Sequence, residues 1–586
     1  MPHILSSPLS LPASLSLPRC LPVFAAALAL CAPAAHAGLC RPAVGSEITS
    51  YTSPLSSPGI ISPVDGTCWV QDIAITSHDG VKLMASVYLP RGADGDARFP
   101  GIVMVGSWAT PGQYEYAGQS QRLARDGYIV VSYTARGFYN SEGIIGVAAP
   151  ADVRDVSSVL DWLQNNTRVD PQNVAASGIS YGAGLAMMAL AQDSRFKTAV
   201  AFSGWGNLMD QMYLDGSANR TWSNVLNLLG AVTGRRDPLI EQQVQILNDP
   251  DSSSAQIAGV AAWAAPRSPS QFIAQINQRN APVFISKNLQ DDMFTANSSL
   301  AMFSALTGPK KLLLNKGIHA VTEFPGALLG EDNYPYDQAR RWFDRFLKGE
   351  RNGIDTEAQV SVQVRPANNR ETFATWPSAE VREQTFHLSP RGAMRLDFSC
   401  FCRRGEKGML SATRNSTSYT DTVYNYGDTT ATTGVLPLLA SIRAANDLPA
   451  LTSMQSIALA TGVRYEGAEL SAPLKLRGVA RLNLQAAPSQ ARAQLVAYLY
   501  DVDAIGIARL ITYGARSVHA AVPNQTTGLA VELAAAAYDI PVGHHLGIVL
   551  DTTDPLFAPA VRSGERFSVG LVFNPALQST LTLPTR

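Results

Sequence analysis

A serine hydroxyl is a weak nucleophile until a neighbouring base takes its proton and the backbone holds it clear of its surroundings. In the 586-residue chain, Ser180 stands in Gly178-Ile179-Ser180-Tyr181-Gly182, after a strand-like stretch over 173–177 and before a helix-like one over 183–191. In such a strand–turn–helix setting the glycines leave room for a strained turn, and the first helical N–H groups face a developing oxyanion. The base is then a histidine further along the chain, with the acid between the two. Of the eight histidines, His3 and His36 fall in an N-terminal leader, His78 precedes the serine, and His387, His519, His544 and His545 belong to a β-rich region. His319, in Lys316-Gly317-Ile318-His319-Ala320, has the required position. The acid is expected after the apolar stretch 282–286, where Asp291 and Asp292 compete; Asp291, three residues before Phe294, is preferred and Asp292 reads as a loop carboxylate. The chemistry expected is acyl transfer to water: Ser180 attacks, His319 moves the proton, and Asp291 orients the imidazole and stabilises its charged form.

Elements that could hold these residues alternate along the first half of the chain. Two β-rich runs, 68–76 and 81–89, flank Ser77-His78-Asp79-Gly80 and read as a hairpin. Strand-like runs over 101–105, 128–133, 174–176, 198–202, 283–286 and 310–314 then alternate with helix-like stretches over 117–125, 151–164, 182–192, 296–306 and 336–347. Such alternation predicts a parallel sheet covered on both faces. Residues 205–281 break the rhythm with helical patches at 222–229, 240–247 and 271–276, which predicts a helical cap inserted between strands. From 357 onward the pattern becomes short β runs (359–364, 385–388, 480–484, 493–501, 529–533, 545–550, 566–572), the mark of an all-β sandwich, with 415–433 expected as a surface loop. The expected division is a leader over 1–37, a catalytic α/β domain over 38–350 and a sandwich over 357–586. The short connection 348–357 lacks the long flexible tract of a free module, so the sandwich is expected to dock on the hydrolase.

Hydrophobic residues make up 46% of the chain and charged ones 16%, a composition that supports packed cores. Lys+Arg 46 against Asp+Glu 47, with no basic stripe, argues against a nucleic-acid partner. Arg19, the apolar run 21–30 and Ala35-His36-Ala37 form a signal-peptide pattern too short to span a bilayer, so secretion with cleavage near Ala37 is expected, and no membrane span. Cys40, Cys68, Cys400 and Cys402 would remain, and in an oxidising compartment Cys40–Cys68 is the favoured pair, with Cys400 and Cys402 paired or partly free. Cys400-Phe401-Cys402 lacks zinc-ligand spacing and has no histidine at ligand spacing beside it, and neither a metal nor a cofactor is expected.

Taken together, these residues resemble the X-Pro dipeptidyl-peptidase and cocaine-esterase family of α/β-hydrolase serine hydrolases, from about residue 70 to the C-terminus. Ala135-Arg136-Gly137 with Ser141-Glu142-Gly143, Asp161-Trp162-Leu163 and the Ser180 motif carry the likeness in the first half. In the second half it rests on Trp376-Pro377, on residues 478–500 and on Tyr538-Asp539-Ile540-Pro541-Val542-Gly543-His544-His545-Leu546. The resemblance implies an α/β-hydrolase domain with an inserted cap, followed by a jelly-roll-like sandwich. One feature departs from it: where many members carry Pro-Tyr after the third strand, this chain has Val105-Gly106-Ser107-Trp108-Ala109. The oxyanion hole is therefore expected from the backbone N–H groups of Tyr181 and Trp108, with Tyr114 or Tyr116 as side chains that could fold back. Substrates implied by the resemblance are small esters or peptides. Asp210, Asp215 and Asp292 are the carboxylates that could meet an amine, whereas Trp108, Tyr139, Trp205, Trp222 and Trp263 suggest an apolar acyl group. A secreted binding protein that uses the sandwich alone is the competing expectation.

Overall fold

The computed structural model describes residues 67–586 except 94, 392–394, 398–401, 405 and 435–447. The leader, Cys40 and Cys400 lie outside those residues. In chain order the first half contains strands β1 (Cys68–Thr76), β2 (Lys82–Leu89), β3 (Phe99–Val105), β4 (Ile129–Tyr133), β5 (Val169–Ile179) and β6 (Phe196–Phe202). A two-residue hairpin, β7 (Tyr213–Leu214) and β8 (Ser217–Ala218), precedes β9 (Val283–Asn288), β10 (Lys310–Asn315), β11 (Val360–Gln363) and β12 (Arg370–Phe373). Apart from the hairpin these strands form one sheet in the order β1-β2-β4-β3-β5-β6-β9-β10-β11-β12. Pairing is parallel from β4 to β11 and antiparallel at both margins. The parallel strands are near-continuous apolar runs because both faces are covered; all five residues of β4 are buried.

The covering helices are α1 (Gly112–Glu115), α2 (Ala117–Arg125), α3 (Pro150–Asn166), α4 (Tyr181–Gln192), α5 (Leu208–Met212), α6 (Arg220–Thr233), α7 (Pro238–Asn248), α8 (Ser254–Ala264), α9 (Ile273–Gln278), α10 (Ala296–Ala305), α11 (Phe324–Leu329) and α12 (Tyr334–Leu347). On one face α3 and α4 pack Val159, Leu163, Leu185 and Met188 into a cluster with Val103 and Val131. On the other, Leu123, Trp342 and Phe343 pack with Ile102, Val130 and Phe284. Helices α5 to α9 make up the inserted stretch between β6 and β9 that the sequence predicts as a cap.

Two expectations need correction. The run 359–364, expected to open the sandwich, instead supplies β11, which pairs in parallel with β10 through Leu312–Val360 and Leu314–Val362. Strand β12 folds back on it, so the α/β sheet extends past residue 370. The stretch 415–433 is not wholly loop: Tyr419–Tyr424 forms a strand against Ser568–Phe573 and buries Asp421 and Val423. The rest of the second half is β-rich, built around Ala493–Val502, whose ten residues are all buried between Ile507–Val518 and His545–Asp551.

The two halves share a core. A single apolar cluster runs from Val105 and Met188 in the α/β half to Tyr498, Val549 and Phe557 in the β-rich half. Polar contacts flank it: Arg516 meets Asp215 at 3.0 Å, the Thr221 hydroxyl donates to the Pro555 carbonyl at 2.7 Å, and Arg477 grips Glu371 of β12 at 2.8 Å.

Candidate active site

Ser180 occupies the turn between β5 and α4 with φ 54° and ψ −114°, a backbone conformation that costs a non-glycine residue free energy and marks a held side chain. The glycines make the turn possible. A Cβ on Gly182 would lie 2.0 Å from the Val105 carbonyl oxygen, and one on Gly178 would lie 2.5 Å from Gly182 itself. The Ser180 N–H donates to the Phe202 carbonyl at 2.8 Å, which ties the turn to the end of β6.

The three residues singled out in the sequence converge at the carboxyl edge of the parallel sheet. His319 follows β10 and presents Nε2 to Ser180 Oγ at 2.8 Å and Nδ1 to Asp291 Oδ2 at 2.8 Å. Asp291 follows β9, and its Oδ1 accepts the backbone N–H groups of Met293 at 3.0 Å and Phe294 at 2.9 Å. Asp292 lines a second cavity, with Leu289, Arg365 and Tyr513, that Asp291, Gly317 and Ile318 also border. Burial alone would raise the Asp291 pKa, but the positive fields of His319 and Lys287 outweigh it and hold the carboxyl at about 2.

Lys287 had not been read from the sequence. Its side chain is fully buried at the end of β9, with Nζ 2.6 Å from Asp291 Oδ2 and 3.2 Å from the Gly204 carbonyl. Burial pushes its ammonium below the ordinary lysine value, while Asp291 pulls the other way. Also unread was Glu323, buried below the His319 loop, which accepts from Thr322 Oγ1 at 2.7 Å, Ser203 Oγ at 3.0 Å and Asn288 Nδ2 at 3.1 Å. Asn288 in turn donates to the Ile318 carbonyl at 2.9 Å, so the residue before His319 is fixed from beneath. A lysine four residues before an aspartate was the available signal for Lys287; a lone glutamate after the histidine offered none.

At the expected oxyanion position, Tyr181 is the first residue of α4 and Trp108 follows β3. Among the described residues neither backbone N–H has an acceptor. The tyrosines that could have folded back are engaged: the Tyr116 hydroxyl accepts from the Ile179 N–H and donates to the Val105 carbonyl, both at 2.8 Å, and the Tyr114 hydroxyl meets Asp72. Tyr116 thus clamps the ends of β3 and β5 together. The Tyr181 hydroxyl donates to Asp152 at 2.8 Å, and Trp108 Nε1 donates to the Leu226 carbonyl of α6 at 2.9 Å. Arg136 lies away from these groups, binding Asp155 through Nε at 2.6 Å and Asp79 through Nη1 at 2.9 Å, a clamp between loop and helix.

A cavity opens onto Ser180 beneath α6, α7 and α8, enclosing about 810 Å³ of empty space with its mouth included. Trp108, Tyr181, Trp205, Leu226, Trp263 and Phe294 are among its walls; Tyr139 and Trp222 are not.

Sheet order, inserted helices and a serine held on a strand–helix turn define an α/β-hydrolase with a β-rich C-terminal domain. Residues 79–321 match the profile of X-Pro dipeptidyl-peptidase (S15 family), and residues 352–579 match that of the X-Pro dipeptidyl-peptidase C-terminal non-catalytic domain. The chain belongs to this family of hydrolases. In fold it is similar to a CocE/NonD family hydrolase from Staphylococcus aureus, at 12% identity and TM-score 0.66, over 88% of this chain and 94% of that one. An α-amino acid ester hydrolase aligns at 17% identity and TM-score 0.64, over 91% of this chain and 100% of its own. An aminopeptidase from a marine sediment archaeon (Thaumarchaeota archaeon) aligns at 15% identity and TM-score 0.64, over 92% and 100%. Among curated proteins, an uncharacterized protein of Pseudomonas aeruginosa is 25% identical over 162 residues, 27% of this chain and 43% of its own length. The chain therefore spans less than half of that relative.

Proposed function

We propose that the chain is a serine hydrolase that cleaves carboxylic esters or amide bonds of small molecules or peptides through an acyl-enzyme on Ser180. The observation that carries this reading is the unbroken relay from Ser180 Oγ through both nitrogens of His319 to Asp291 Oδ2. His319 takes the serine proton as Oγ adds to the carbonyl carbon, and Asp291 stabilises the imidazolium so formed. The tetrahedral oxyanion is assigned to the backbone N–H groups of Tyr181 and Trp108, neither of which has an acceptor among the described residues. His319 then protonates the leaving group, and a water activated by the same imidazole releases the acid. The arrangement needs no metal or cofactor for any of these steps.

The test is a fluorophosphonate label, which reacts with an activated serine. The wild type is expected to be labelled at Ser180, and Ser180→Ala to be unlabelled and inactive on p-nitrophenyl esters with its circular dichroism unchanged. A folded wild type that takes no label would leave the β-rich domain as a binding module, the competing reading. We also propose secretion after cleavage near Ala37, supported by the leader pattern. Cys40 and Cys68 are the proposed disulfide pair. N-terminal sequencing of exported protein should find Gly38 first; an uncleaved leader would refute the proposal.

A further inference from the structure

Resting on the proposed hydrolase, we infer that the cavity beside Ser180 selects a neutral apolar acyl group and rejects one carrying a free α-ammonium. Two independent features of its walls lead there.

The first is the absence of a counter-ion. Among the described residues no aspartate or glutamate lines this cavity. Each carboxylate that could have met an amine is occupied or placed elsewhere. Asp210 is exposed, Asp215 is paired with Arg516 at 3.0 Å, and Asp292 opens onto the other cavity. Asp152 reaches no closer than the far side of Tyr181, whose hydroxyl donates to it, and burial first of all pushes its pKa up to about 6. An ammonium brought into such a space loses its hydration and gains no partner, a cost that apolar walls cannot offset.

The second is that aromatic faces, which could otherwise hold a cation, already carry the protein's own. The Arg267 guanidinium lies 4.2 Å from the Trp263 ring centroid, and the Lys287 ammonium lies 5.7 Å from that of Phe294. Trp205 stacks on Tyr181, with centroids 6.4 Å apart, and Trp108 meets Tyr181 edge-on at 5.4 Å. Cation–π attraction requires an open ring face. At two of these walls an entering ammonium would instead meet a ring that already holds one of the protein's own cations.

The substrates that isolate the effect are the p-nitrophenyl esters of L-leucine and of 4-methylpentanoic acid, which differ by the α-ammonium alone. They are assayed below pH 7, where an α-amino group is largely protonated, and each kcat/KM is divided by the rate of spontaneous hydrolysis. The corrected preference for the 4-methylpentanoate is expected to be on the order of 100-fold, about 2.7 kcal/mol at 1.36 kcal/mol per tenfold. A preference below about tenfold, or equal and slow turnover of both esters, overturns the inference. A second arm uses Gln243→Glu, which puts a carboxylate on the half-buried wall from α7 without changing side-chain size. It is expected to narrow the preference at least about tenfold; an unchanged preference also overturns it. Fluorophosphonate labelling of Ser180 separates the outcomes: no label defeats the hydrolase reading itself, whereas a labelled enzyme that favours the leucine ester defeats only the selectivity.

Discussion

Two of the clusters that pair a cation with a carboxylate, one at the seam between the halves and one beside Ser180, each hold the carboxyl at about 2. At the seam between the halves, Arg477 places Nε and Nη2 on the two oxygens of Glu371, each at 2.8 Å, and Nη2 reaches Asp539 at 2.7 Å. Hydrogen bonding to Arg477 is the main cause of the depressed Glu371 pKa. Beside Ser180, burial opposes the shift, and the fields of His319 and Lys287 produce it for Asp291. At the seam the arginine fork saturates both oxygens and nothing is left to react. At the site one oxygen is shared by Lys287 and His319, and the imidazole keeps a second nitrogen for Ser180. A depressed carboxyl therefore does not mark chemistry; a partner with another atom aimed at a nucleophile does.

The largest contrast comes from removing one partner in each cluster. His319→Ala is expected to lower kcat by ~10⁶-fold, as is Ser180→Ala, and the double variant should be no worse than either single one, because members of such a relay act as a unit. Far-ultraviolet circular dichroism should be unchanged in all three. A double variant much slower than both singles would break the assignment.

Arg477→Met is expected to do the reverse. It leaves the half-buried Glu371 with Arg586 at 3.0 Å but without its fork, a loss of about 2–3 kcal/mol in chemical denaturation. Activity per folded molecule should persist, since Arg477 touches none of the site residues. Denaturation indistinguishable from wild type would show that the seam does not depend on this pair.

Lys287→Met should have a smaller effect with a different signature. Removing the lysine takes from Asp291 one of the two cations that hold its carboxyl low, so the loss of melting temperature on acidification is expected to begin at higher pH than in the wild type. A lysine with no hold on Asp291 would lower the melting temperature equally at every pH.

The smallest expected effect is the pH dependence of stability. Glu371 and Asp291 have folded values near 2, below their ordinary 4.5 and 3.8, so their stabilisation is complete above those values and is lost as pH falls toward 2. Asp152 has the opposite sign: its folded value of about 6 lies above 3.8, so its contribution grows as pH falls through 6 and is complete below 3.8. The melting temperature is expected to peak near pH 4.5. A monotonic rise from pH 3 to pH 8 would contradict these assignments.

Much of this was legible in the chain. Ser180, Asp291 and His319 could be read because the turn motif is local and because chain order restricts its partners to the ends of later strands. Lys287 was marked only by its spacing four residues before Asp291, because a lysine closing a strand looks like ordinary solvation until Asp291 folds back over it. Tyr116 belongs to the same class: its bridge joins two strands separated by more than sixty residues. The misassigned β11 has another cause. Val360–Gln363 alternates as any short strand does, and which sheet it joins is decided by the free edge of β10, which local patterning does not encode.

Trp108 contributes its backbone N–H to the proposed hole while its indole hangs from the Leu226 carbonyl, with Gly230 so close that a Cβ there would lie 2.8 Å from the ring. Half of the charge-stabilising apparatus is thus suspended from the roof rather than bolted to the sheet. For anyone recombining such enzymes, the cap is not an interchangeable lid. A transplanted one must bring a carbonyl at the same height and a bare backbone beneath it, or the chimera will bind its new substrate and leave it whole.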